Sequence, residues 1–188
     1  MSVKSMVRAV IVASSLAVSG CLVTEAPVIV DGTRWEGLTG RYAVDAPDFG
    51  DMVVTEGTDP RSGAEAYRVA MFRPGNERVG EVLWVVLDSP LDGRAVGQYR
   101  GEVDDSLENG VLVLERRDAD TWAVMFQGAT LMPEDPEALL ASHDVTMESF
   151  MGLSVELKGD PEDVRAVLRD LARTATPGEE TLVLTRER

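Results

Sequence analysis

Apolar and polar positions alternate in short runs through the first two thirds of this chain. In Tyr67-Arg68-Val69-Ala70-Met71-Phe72-Arg73, the residues Tyr67, Val69 and Met71 fall on one face while Arg68 and Arg73 reach water. That period of two is the signature of a half-buried strand. Gly40 to Val44, Val111 to Leu114 and Trp122 to Phe126 read as further strands, and Val82 to Leu87 is apolar on both faces, as a central strand is. From Val96 to Val103, Gln98, Arg100 and Glu102 point one way, and Gly97, Tyr99, Gly101 and Val103 the other. Glycines on that inward face mark bends or close backbone approach. Asp92-Gly93, Asn109-Gly110 and Asp118 to Asp120 supply turn chemistry between the runs.

Two segments in the last third switch to helical spacing. Asp135-Pro136-Glu137 places a capping aspartate before a proline at the first helical position, which predicts a short helix near 135–142. Gly152 to Lys158 alternates again. Asp160-Pro161-Glu162-Asp163 then repeats the start signal, and Val164, Val167, Leu168 and Leu171 form one apolar stripe, so a C-terminal amphipathic helix is predicted near 161–174. Arg169 and Arg173 complement its dipole, Pro177-Gly178 ends it, and Thr181 to Arg186 returns as a strand. The fold class is mainly β (α+β): an antiparallel meander forming a barrel or a sandwich, with two helices added.

The N-terminal region follows neither period. Lys4 and Arg8 precede an apolar stretch from Ala9 to Ala17, and small residues follow, which is the layout of a secretory signal. The stretch is about half the ~20 residues a membrane-crossing helix needs. Leu16-Ala17-Val18-Ser19-Gly20-Cys21 resembles the lipobox of bacterial lipoproteins. The resemblance implies export, cleavage before Cys21, a thioether-linked diacylglycerol on that residue and a third acyl chain on its amine. One chain anchors only marginally, and two or three hold firmly. Under the sorting rule of enterobacterial lipoproteins, Leu22 in place of aspartate favours the periplasmic face of the outer membrane over the inner membrane. The expected organisation is a signal peptide over 1–20, a lipidated cysteine and tether over 21–36, and a single β-rich domain over 37–188. The tether reaches roughly 50 Å if extended, and its cluster Val28-Ile29-Val30 is a candidate edge strand.

The order of elements over residues 37–188 also resembles a group of small bacterial lipoproteins of unknown function with a lipocalin-like β-domain. Leu38-Thr39-Gly40-Arg41-Tyr42 matches their apolar-Gly-x-Tyr/Trp opening, and Met132-Pro133-Glu134-Asp135-Pro136 their short acidic helix start. Gly159 to Leu168, running on to Leu182-Val183-Leu184, is similar to their ending. The group supplies no catalytic residue.

Charge narrows the partners. Asp and Glu number 33 against 18 Lys and Arg, for a formal charge of −15, and loss of Lys4 and Arg8 with the signal makes the remainder more acidic still. That balance disfavours nucleic acid and anionic surfaces. The acids are interrupted by arginines, as on a solvated surface. With Cys21 the only cysteine, no disulfide forms within the chain. His143, the single histidine, reads as structural, since zinc needs several such ligands. Asp45, Asp48 and Asp51 lack the spacing of a calcium loop and read as a solvated turn. Asp104-Asp105 are adjacent, and on a strand they would face opposite sides. No metal site, cofactor or catalytic residue is expected.

Tyr42, Tyr67, Trp84, Tyr99 and Trp122 are the candidates for the barrel interior. They are expected to fill the core, and to line an apolar pocket if the barrel is wide enough. The favoured function is a non-enzymatic, membrane-anchored envelope lipoprotein whose β-domain binds a partner, such as an envelope assembly factor. The alternative is a lipocalin-like carrier of a small apolar ligand or lipid, and a carboxylate enzyme ranks third.

Overall fold

Strict alternation of inward and outward side chains lets eight antiparallel strands close on themselves. The structure, a computed structural model, describes residues 21–46, 49–75, 79–102, 109–126, 131–133, 135–150, 154–178 and 181–187. Residues 1–20, over which a signal peptide is expected, and Asp48 and Asp104-Asp105 lie outside these. The strands are β1 (Cys21–Thr24), β2 (Gly40–Val44), β3 (Asp51–Thr58), β4 (Glu65–Phe72), β5 (Val79–Leu87), β6 (Arg94–Gly101), β7 (Gly110–Arg116), β8 (Thr121–Met125), β9 (Thr146–Phe150), β10 (Ser154–Lys158) and β11 (Leu182–Arg186). The helices are α1 (Pro136–Ala141) and α2 (Pro161–Thr174).

The order β6-β5-β4-β3-β2-β11-β8-β7 is sealed into a barrel by the β6–β7 pairing, so the sheet is not a sandwich. From β7 the sheet continues outward through β1, β10 and β9. β1 pairs in parallel with β10, Cys21 opposite Ser154, and touches β7 at Val23–Gly110. Asp92 and Gly93 both adopt positive φ (52° and 79°), as the tight β5–β6 turn requires. A Cβ on Gly97 would fall 2.8 Å from Leu87, and one on Gly110 2.3 Å from the Tyr99 ring. The inward glycines therefore admit neighbouring side chains to the lumen.

α2 begins at Asp160, whose carboxylate accepts from the Glu162 amide at 3.0 Å. Its stripe of Val164, Val167, Leu168 and Leu171 is buried in a core outside the barrel, with Val96, Val113, Met125, Val155 and Leu157. Asp88 is buried at the edge of this layer, and both Arg165 and Arg169 grip its carboxylate, each with a 2.7 Å contact. Burial alone would raise its pKa, but the two guanidinium groups and the Ser89 amide hold it far below the usual carboxylate range.

Residues 22–36 differ from the expected tether. Leu22, Val28 and Ile29 are buried, and the amides of Val28 and Ile29 donate to Gln98 Oε1 at 2.7 and 2.8 Å. Val28 to Val30 forms no strand, because a side chain takes the bonds a ladder would otherwise make. This segment is sewn to the barrel wall.

Candidate functional site

The eight strands enclose an apolar cavity of about 220 Å³. Its middle is lined by Met52, Val54, Val69, Leu112, Leu114 and Val124, contributed by β3, β4, β7 and β8. All face inward by their register: Val54 stands opposite Val69, and Val69 opposite Leu83. Such a lining offers dispersion contacts and the hydrophobic effect, with few directional bonds.

One end is closed by the chain from Thr33 to Thr39. Trp35 meets Trp122 edge to face, with centroids 4.9 Å apart. Tyr67 Oη accepts from the Trp35 amide at 2.5 Å and donates to its carbonyl at 3.1 Å. Tyr42 Oη donates to the Leu38 carbonyl at 2.7 Å and receives Arg186 Nη2 at 2.9 Å, while Arg186 Nη1 donates to the Thr39 carbonyl at 2.7 Å. Burial holds both phenols above their ordinary pKa, against the lowering by Arg186 at Tyr42 and by the Trp35 amide at Tyr67. They stay neutral donors throughout the physiological range.

The opposite end carries the turns that follow β2, β4 and β6. There Phe49, Met71, Leu83 and Phe126 are only partly buried and form an apolar rim. Cys21 also lines this cavity. Gly110 looks into the lumen at Tyr99, its partner Val23 shares that face, and Cys21 lies two residues along the same strand.

The five aromatic candidates separate into three groups. Tyr67 and Tyr99 line the cavity, while Tyr42 and Trp122 build the closed end. Trp84 is not inside: it packs against the outer core, because Leu83, Val85 and Leu87 take the inward positions of β5. His143 Nε2 lies 3.0 Å from Asp170 Oδ2, joining the end of α1 to α2 rather than facing the cavity. Asp51 pairs with Arg41 at 3.3 Å, and the Asp45 amide donates to the Val183 carbonyl at 2.9 Å. Among the described residues, no three His, Cys, Asp or Glu side chains are grouped closely enough to hold a metal.

The inward aliphatic positions that shape the cavity, above all Met52, Val54, Leu112 and Val124, carry no signal beyond alternation. Compared with protein-family models, curated proteins and solved structures, the chain matches none.

Proposed function

We propose that this protein is a lipid-anchored module of the bacterial envelope that holds a small apolar ligand in its barrel and performs no catalysis. The observation that carries this reading is the closed, apolar, unfilled interior. A barrel meant only as a scaffold fills its lumen with side chains, as small barrels do. Here the inward aliphatic side chains leave about 220 Å³ unfilled, and the rim that leads in is apolar. The anchor itself rests on the lipobox-like run ending at Cys21, and the periplasmic face of the outer membrane on Leu22.

Native mass spectrometry of the full protein, extracted from membranes, tests the binding reading. The expected result is one apolar occupant per chain, co-purified or covalently carried, displaced by a naphthylamine probe whose fluorescence rises on binding. A protein that is empty and indifferent to the probe overturns it.

Recognition of a protein partner is supported by a different observation. β9 ends the extended sheet, and among the described residues no strand pairs with its outer edge. Such an edge accepts an added strand. Crosslinking from Met147, which is exposed on β9, tests it; recovery of random neighbours alone counts against it.

A further inference from the structure

The cavity and the single cysteine belong to one site. β1 is held on both sides, by β10 along its length and by β7 at Val23, and the Thr24 amide donates to the Asn109 carbonyl at 3.1 Å. Leu22 is fully buried toward α2, which fixes the strand's facing and turns Cys21 to the lumen. The expected reach between anchor and barrel is therefore missing. Whatever Cys21 carries begins in the wall of the apolar cavity, where the antiparallel register from Val23–Gly110 runs on toward Leu112.

We infer that the resident ligand of the cavity is an acyl chain carried by Cys21 itself. This deepens the proposed function and rests on its reading of Cys21 as the lipid-bearing residue. In that modification a membrane phospholipid is the donor. A bond forms between Sγ and the glyceryl carbon, the bond from that carbon to the phosphate oxygen breaks, the headgroup leaves with the electron pair, and the thiol proton goes to solvent. Two ester-linked chains then start in the cavity wall. The cavity of about 220 Å³ exceeds the ~150 Å³ apolar void that takes up benzene. It admits the proximal part of one chain, and the other ester-linked chain and the amide-linked one stay in the bilayer.

Covalent attachment gives this occupant an effective concentration that free lipid does not match. Three consequences follow from the geometry. The mouth faces the membrane, the barrel stands directly on the lipid surface, and a free apolar molecule enters only when the tethered chain withdraws. The interior thus exchanges between a self-filled and a ligand-filled state.

Cells fed a fatty acid with a diazirine near its carboxyl end provide the test. The full protein is irradiated in its native membranes and its adducts are mapped by mass spectrometry. The expected result is label on Cys21 with adducts on Met52, Leu112 and Val124. In the Val54→Trp variant, which fills the lumen, the label persists and those adducts are lost. Label on Cys21 with adducts confined to surrounding lipid overturns this inference and leaves the anchor standing. Inward adducts that persist in a folded Val54→Trp protein also overturn it. Absence of label from the chain overturns the anchor reading, and this inference with it.

Discussion

The barrel lumen and the layer beneath α2 are two apolar cores divided by one wall, and they are built to opposite specifications. Strands β5 to β8 serve both. Leu87, Leu112, Leu114 and Val124 point inward, while Val86, Val96, Val113 and Met125 point outward. The outer core is closed by aliphatic side chains from α2, β1 and β10, and Val167 and Leu168 are completely buried. The inner core is ringed by aromatic groups at its closed end and left hollow above them. Stability is concentrated where packing is solid, and the hollow side is free to take a guest. A wall braced on its outer face can keep an unfilled interior without collapsing.

The sharpest break of this comparison is a charge placed in the solid core. Leu168→Asp is expected to cost about 4 kcal/mol, because a buried carboxylate there finds no partner. Urea denaturation measures it, and an unchanged midpoint would dissociate α2 from the core. Next comes the ionic clasp at the layer's edge. Asp88→Ala strips Arg169 of its acid partner and leaves Arg165 with Asp31 alone, and is expected to cost about 2 kcal/mol in the same experiment. Its pH dependence has a definite sign. The folded pKa of Asp88 is depressed, so its contribution is fully present above the unfolded value of about 3.9 and declines as pH falls toward the lower folded value. Acid unfolding curves of the wild type and of Asp88→Asn should therefore converge at the lowest pH.

A smaller effect is expected at the barrel's closed end. Tyr67→Phe removes both bonds to Trp35, for a loss of about 1.5 kcal/mol. The finest test sets the two faces of the wall against each other. Val113→Phe overfills the outer core and should cost about 2 kcal/mol, whereas Val124→Phe enters the hollow and should change stability by less than about 1 kcal/mol. Probe binding should show the reverse order, lost in Val124→Phe and kept in Val113→Phe. Equal destabilisation by the two would show that the lumen is packed.

Much of the architecture was legible because alternation and helix-start signals are local. β2, β4, β7, β8 and both helices lie close to where the pattern puts them, and α2 spans Pro161–Thr174 as its stripe requires. β1, β3 and β9 carry no clear period, and Cys21 to Thr24 reads as tether rather than strand. Past Met52 and Val54, β3 runs Thr55-Glu56-Gly57-Thr58, whose polarity hides the period, and Thr146 to Phe150 is mixed in the same way. The choice of barrel over sandwich depended on β11 inserting between β2 and β8, a long-range pairing that no single segment encodes. β5 is apolar on both faces, so pattern alone could not say which of Leu83 and Trp84 looks inward. The cavity was the least legible feature. It is a difference between the circumference of eight strands and the volume of their inward side chains, and no motif records a difference.

The parallel seam between β1 and β10 also governs the order of assembly. Synthesis delivers Leu22 near the beginning and Val155 near the end, yet the two pair directly. Strands β2 to β8 can zip through neighbouring hairpins as they emerge, whereas β1 and the closing strand β11 must wait for almost the whole chain. Until β10 arrives, the flank of β7 beside β1 is an uncovered template for any other strand. These late pairings are thus the ones that shield the nascent protein from aggregation.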